Sequence, residues 1–295
     1  MKKVAIIGLS GDSLFYSVDR LPKDGETIHA NSFYREVGGK GFNQAVALAR
    51  QGIKVYFLSA VGQDEVGKRC EEYMIQEGVT AVFKKKDDAS AIATILRSKD
   101  GENEVIVYDG ANKCLNLCDL EEFYEYIKLS DAILLTCEIP YDVLKQAITY
   151  AKRLKKMIII NPAPYVYDDM SILQDACVIC PNKTEVMQMF KLKEFDLDEI
   201  VKFKQSYRLK DIVVTLGKEG LALYQDNGFK LIPGKNVKAI DTTGAGDVFC
   251  ACMTSMLLEG KDLFSACEYA NIEASKSVCK PYVLDAIPRR GKDEE

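Results

Sequence analysis

Short, almost wholly apolar runs alternate along this chain with longer stretches whose apolar residues recur at helical spacing. The runs at 4–7, 55–60, 132–135, 157–160, 176–179 and 212–216 read as strands buried on both faces, the habit of a parallel sheet. The stretches at 41–50, 65–77, 119–128, 141–154, 198–207, 246–260 and 263–276 read as helices. Such alternation predicts an α/β fold with a mainly parallel central sheet covered by helices. Two excursions, at about 12–37 and 89–110, instead show the two-residue alternation of antiparallel strands. In the second, Asp100-Gly101-Glu102-Asn103 separates two β-rich runs, the pattern of a hairpin. The excursions are expected to pair into a small antiparallel β lid on a single domain spanning 1–295, with a frayed charged tail at 289–295.

Composition narrows the class. The 295 residues carry 39 Lys+Arg against 44 Asp+Glu, a net charge of −5 with no basic block, so a nucleic-acid partner is not expected. No apolar run approaches the roughly 20 residues that span a bilayer. The basic start Met1-Lys2-Lys3 leads into a run that Gly8 ends after four residues, which reads as a first strand and not an export signal. Ten cysteines and a single histidine, His29, make a poor zinc set, and Cys177 and Cys180 lie in an apolar run. The thiols are expected to be inert and unpaired in a reducing cytoplasm.

Two glycine-rich strings carry candidate chemistry. In Asp241-Thr242-Thr243-Gly244-Ala245-Gly246-Asp247 a small-residue turn opens an apolar helix. The unpaired N–H groups of a helix start cradle anions, small residues let a phosphate approach, and Asp247 stands beside that cradle to take a proton. The combination suggests phosphoryl transfer, although a capped turn gives the same string. In Val37-Gly38-Gly39-Lys40-Gly41-Phe42-Asn43-Gln44 the glycines let a ligand lie on the backbone, and Asn43 offers a donor and an acceptor to sugar hydroxyls. No Walker A string occurs, and Gly8-Leu9-Ser10-Gly11 is not a dinucleotide fingerprint.

Together, some 200 residues apart, these strings resemble the signatures of the ribokinase-like (PfkB) carbohydrate kinases, and most of all those of the ribokinase branch. The likeness extends through Arg20-Leu21-Pro22-Lys23-Asp24-Gly25-Glu26-Thr27, Gly110-Ala111-Asn112, Glu138-Ile139-Pro140, Asn161-Pro162-Ala163-Pro164, Pro181-Asn182-Lys183-Thr184-Glu185 and Thr215-Leu216-Gly217-Lys218-Glu219-Gly220. It implies a three-layer α/β/α fold and ATP-dependent transfer of the γ-phosphoryl to a primary hydroxyl of a carbohydrate. By the resemblance, Asp247 is the general base and the Gly244, Ala245 and Gly246 amides form the anion hole. Gly39, Lys40, Gly41, Asn43 and Glu138 line the sugar with Asp247. Asn182, Thr215, Leu216, Gly217, Lys218, Glu219, Gly220, Gly246 and Asn271 line ATP, while Asn182 and Glu185 organise Mg²⁺, largely through water. The resemblance also implies a homodimer paired through the lids.

The pattern breaks at two places. Ribokinases carry an Asn-x-Asp sugar clamp after the first strand, whereas the aligned positions here are Gly11 and Ser13, so ribose itself is in doubt. Asp12 lies one position off and reaches the sugar only if a bulge near Gly11 turns it around. The family's K⁺ site corresponds to Asp241, Thr243, Ser277, Lys280, Tyr282 and Ala286, but a glycine is replaced by Tyr282, which disfavours a turn of positive φ. A nucleoside kinase of the same family and a non-catalytic sugar sensor are the alternatives.

Overall fold

The computed structural model describes residues 1–99, 103–167, 169–226 and 228–291. In chain order the elements are β1 (Lys3–Ile7), β2 (Gly11–Val18), β3 (Ser32–Gly38), α1 (Lys40–Arg50), β4 (Lys54–Gly62), α2 (Glu65–Gln76), β5 (Thr80–Lys86), β6 (Ala91–Ser98) and β7 (Asn103–Tyr108). They continue with α3 (Leu117–Glu122), α4 (Tyr124–Leu129), β8 (Ala132–Thr136), α5 (Tyr141–Arg153), β9 (Met157–Asn161), β10 (Val178–Ile179), α6 (Lys183–Phe190) and α7 (Leu197–Ser206). The last are β11 (Asp211–Thr215), β12 (Gly220–Gln225), β13 (Gly228–Pro233), α8 (Ala245–Leu258) and α9 (Leu263–Ser277). The predicted helix at 119–128 breaks at Phe123 into α3 and α4, and the strand at 176–179 shortens to β10. The expected turn residues Asp100, Gly101 and Glu102, and 292–295 of the tail, lie outside the described residues.

Nine strands form the main sheet in the order β13-β12-β11-β10-β9-β8-β1-β4-β5. All neighbours are parallel except β11–β12 and β12–β13. The continuous apolar runs follow from this geometry, because a central parallel strand is covered on both faces. Alternate residues of β1 go to opposite cores: Val4 and Ile6 pack with α1, α8 and α9, while Ala5 and Ile7 pack with α5 and α6. Among the described residues no helix is long and apolar enough to cross a membrane.

The two excursions meet in a second sheet, ordered β3-β2-β6-β7. Its outer pairs are antiparallel, and the two excursions join through a parallel β2–β6 ladder. This lid rests on the body through a knot at the turn after α9. Tyr34 of β3 stacks on Tyr282 at 3.5 Å, Phe15 of β2 meets the same ring edge-on at 5.6 Å, and Glu36 of β3 accepts the Val283 and Leu284 N–H groups at 2.9 and 3.2 Å.

Candidate active site

Ligand crevices in sheets of this kind form at the carboxyl ends of the parallel strands. The last residue of β9, Asn161, and the segments that follow β1, β8, β10 and β11, with Gly8, Glu138, Asn182 and Leu216, reach that edge. Helix α1 starts against the end of β1 because Gly8 and Gly41 face each other: a Cβ on Gly41 would lie 2.5 Å from the Gly8 Cα. That close approach carries Lys40, Asn43 and Gln44 to the strand edge. The N-terminus of α8 arrives beside them.

Asp247, in the first turn of α8, is 6% exposed and held by two amides. Asn43 Nδ2 donates to its Oδ2 at 2.9 Å and Gln44 Nε2 to its Oδ1 at 3.1 Å. The acceptor oxygens of both amides, Asn43 Oδ1 and Gln44 Oε1, are buried without a partner. Buried acceptors are rarely left unpaired, so an incoming hydroxyl at Asn43 has an acceptor ready. Burial pushes the Asp247 carboxyl above its ordinary range, against the pull of Lys40, Asn43 and Gln44. Burial likewise pushes Glu138 up to about 7 despite Lys40 and the Lys40 and Gly41 N–H groups, and it raises Glu185. Lys40 is the common counter-ion: burial disfavours its ammonium, but Asp247, Glu138 and Glu185 outweigh that and raise its affinity for the proton.

The cradle itself is the start of α8. Gly244 takes φ 76° as its N-cap and no side chain caps the helix. Of the three amides expected to form the anion hole, Ala245 N–H turns back onto Thr242 O at 3.3 Å and Gly244 is the N-cap; Gly246 N–H, with that of Asp247 beside it in the first turn, has no intrahelical acceptor. With the dipole of a largely apolar helix behind them, they favour an anion.

A cavity of about 530 Å³ opens from this cradle. Of the sequence-predicted residues it touches Lys40, Asn182, Glu185, Thr215, Leu216, Gly217, Lys218, Gly220, Gly244, Ala245, Gly246, Asp247 and Asn271. Glu219, Gly39, Gly41, Asn43 and Glu138 are not in its wall, and Asn43 is tied to it through its bond to Asp247. Asn182 and Glu185 form a reciprocal cap on α6, with both contacts at 2.8 Å, which occupies Asn182 Oδ1 and Glu185 Oε2. Glu185 still has its other oxygen for a hard cation. Asn161, Lys235 and Val237 also line the cavity, and Gln44 grips Asp247; sequence reasoning assigned none of them a role. Gln44 sits next to Asn43 in the same glycine-rich string, so its adjacency was the available signal.

Two expectations need correction. Asp12 does not reach the sugar side. Strand β2 keeps unbroken register, Gly11 opposite Gly38 and Asp12 opposite Val37, so no bulge turns it. Its carboxylate is 3% exposed and is tied to Arg35 and, at 3.0 Å, to Arg69. Ser13, on the other face, points its hydroxyl at Gly38 beside Asn43. The second concerns the K⁺ positions. Tyr282 adopts φ 63°, the turn a tyrosine was expected to resist. Its N–H bond to Asp241 Oδ2 at 3.0 Å and its stack on Tyr34 offset a cost of about 1–2 kcal/mol. Asp241 Oδ1 accepts the Thr243 N–H and hydroxyl at 3.0 and 2.7 Å, and Oδ2 also accepts from the Arg97 guanidinium. Ser277 donates to Ala274 O, Lys280 is exposed, and Ala286 N–H bonds Val283 O.

The family model of the pfkB family carbohydrate kinases matches residues 1–290. A ribokinase of Bacillus subtilis is 33% identical over 297 residues, covering 100% of this chain and 99% of its own. A deoxyribokinase of Salmonella typhi is 30% identical over 282 residues, covering 93% and 92%. The solved structure of an Arabidopsis thaliana ribokinase complexed with ribose and ATP superposes with a TM-score of 0.85 at 25% identity, covering 98% of this chain and 96% of that one.

Proposed function

The chain belongs to the pfkB family of carbohydrate kinases, and from that premise we propose that it transfers the γ-phosphoryl of ATP to a primary hydroxyl of a sugar, with body and lid acting as one catalytic unit. The observation that carries this reading is Asp247: a buried carboxylate, oriented by Asn43 and Gln44, beside first-turn amides that line the same cavity.

The reaction follows from that arrangement. The sugar hydroxyl gives its proton to Asp247 as its oxygen bonds to the γ-phosphorus, and the bond from that phosphorus to the bridging β-phosphate oxygen breaks, so that ADP leaves. A carboxyl raised above its ordinary range is a stronger base once ionised. The Gly246 and Asp247 N–H groups take the charge gathering on the transferred phosphoryl, and Lys40 balances the surrounding carboxylates. The Thr215–Gly220 turn and Lys235 would hold the triphosphate, and Asn271 and Val237 would flank the base, since they line the same cavity. Mg²⁺ would offset phosphate charge when bound; Glu185 would offer it or its waters the oxygen that the α6 cap leaves free, with Asn182 positioning Glu185 through that cap. The lid excludes water that would otherwise hydrolyse ATP.

On the sugar side the clamp is reduced to the Ser13 hydroxyl and Asn43. A lost charge-assisted hydrogen bond to a diol costs about 1.5–3 kcal/mol, so the acceptor is a sugar held with few charged contacts, and ribose binds weakly. The lid pairs two chains: Val105, Ile106, Val107 and Tyr108 are all exposed on edge strand β7. Free cysteines at all described positions suit a reducing cytoplasm.

The test is a coupled ADP-release assay over pentoses, deoxypentoses, hexoses and nucleosides. Wild-type protein turns over a sugar, and Asp247→Asn loses at least about 10²-fold in kcat with its melting temperature kept. Near-normal turnover of Asp247→Asn removes the general base from this reading.

A further inference from the structure

Arg97 is the residue on which the lid and the phosphate cradle meet. It comes from lid strand β6, 144 positions before Asp241, and its guanidinium reaches the Asp241 carboxylate, whose side chain is 1% exposed. The same guanidinium lies 5.5 Å from the ring centroids of both Phe15 and Tyr282. A desolvated cation between two aromatic faces and a buried carboxylate is strongly held. The family resemblance implies K⁺ beside this carboxylate, held largely by backbone carbonyls of the corresponding positions, of which Ser277 O already accepts the Lys280 N–H at 3.2 Å. The residues do not fit it: both Asp241 oxygens are engaged, and the positive charge they need already comes from the protein. A second cation at the Asp241 carboxylate would face the guanidinium at short range, and the neighbouring acid Glu36 spends its oxygens on the Val283 and Leu284 N–H groups.

We propose that Arg97 is a resident cation that replaces the monovalent ion and acts as a positioning residue for phosphoryl transfer. Asp241 holds Thr243 through two bonds, and Thr243 precedes Gly244, the N-cap that sets the cradle. Neutralising Asp241 therefore fixes the turn from which the Gly246 and Asp247 amides emerge. Because Arg97 travels with the lid, the cradle is fully set only when the lid is docked. Catalytic competence is then coupled to closure over the sugar, and the kinase runs without K⁺. The role rests on the kinase reading given above.

The experiment uses the full chain and the sugar it turns over best. Turnover is measured in tetramethylammonium chloride and in KCl at a matched ionic strength of about 0.1 M. The wild type is expected to have the same kcat in both, within about 2-fold. Arg97→Met is expected to lose at least ~10-fold in kcat and to recover part of it in K⁺ or in low millimolar guanidinium. Arg97→Lys, which keeps the charge, stays K⁺-independent. Thermal melts give a second readout that needs no turnover: K⁺ raises the melting temperature of Arg97→Met over that in tetramethylammonium and leaves the wild type unchanged. A wild type stimulated by K⁺ more than about 3-fold, or Arg97→Met with wild-type kcat, overturns the proposal while leaving the kinase intact. A wild type that phosphorylates no acceptor overturns the kinase reading instead, and the melts still report on Arg97.

Discussion

Replacing Gly244 by alanine tests whether the cradle depends on its backbone. At φ 76° the residue sits where a Cβ is strained, and the built Cβ would lie 2.5 Å from Val283 Cγ1. The left-handed conformation costs an L-residue about 1–2 kcal/mol. Pushing a methyl into the buried Val283 adds about 1–3 kcal/mol, for a total of about 2–5 kcal/mol. At about 2.1 cal/mol/K per residue, 295 residues give an unfolding entropy near 0.6 kcal/mol/K. The melting temperature should then fall by about 3–8 °C. If the chain relieves the clash by rotating the turn, the amides move relative to Asp247, and a shift of about 1 Å lowers kcat on the order of 10²-fold. Gly246→Ala is the matched control, since no atom lies within 4 Å of its Cβ and the residue lines the cavity. That variant should melt like the wild type, or slightly higher from the helix propensity of alanine. Its methyl should enter the phosphate path and raise the KM for ATP by about 10-fold. Differential scanning fluorimetry and ADP-release kinetics separate the two. The reasoning is refuted if Gly244→Ala matches the wild type in both assays, or if the two variants share one phenotype.

Two further outcomes follow from the lid. Burial pushes Glu36 up to about 7 from 4.5 in the unfolded chain, so the folded state holds the extra proton between those values. Its stabilising contribution is complete below about pH 4.5 and is lost as pH rises through about 7, at most about 3 kcal/mol in all. Glu36→Gln should flatten the fall in melting temperature over that window, and an unchanged slope would show that Glu36 does not titrate there. Ile106, 68% exposed on β7, should lie in the pairing surface between chains. Ile106→Lys should convert a dimer into a monomer in sedimentation analysis, and a wild type that is monomeric at all concentrations defeats that assignment.

The body of the fold was legible because burial on both faces leaves a continuous apolar trace, as in Ala132–Thr136 and Met157–Asn161. What escaped had a weaker trace. β5 ends in Lys84-Lys85-Lys86 on the sheet edge, where one side is open and lysines are tolerated. β12 and β13 flank an Asp226-Asn227-Gly228 string that is a hairpin signal, yet the strands are short and β13 is mostly exposed. α6 carries little apolar periodicity over its residues; its start was written only in the Asn182–Glu185 cap.

The site divides along the same physical line. The α8 cradle is a local device, a positive-φ glycine, a bare helix start and an acid in the first turn, so one string of residues spells it. Asp12 was legible in principle as well: strict alternation sent it to the far face, and the unbroken β2–β3 register made that rule win over a bulge. The Asp241–Arg97 pair has no local trace at all. An arginine on a lid strand looks like a solvated edge charge until the lid docks, and docking is decided by Phe15, Tyr34 and Glu36 together with Tyr282. Tyr282 shows the consequence. Judged alone, a tyrosine argues against a left-handed turn, yet stacked on Tyr34 and bonded to Asp241 it adopts one. Backbone-borne chemistry can therefore be read from neighbouring residues, whereas the charge that tunes it here belongs to the contact between two sheets.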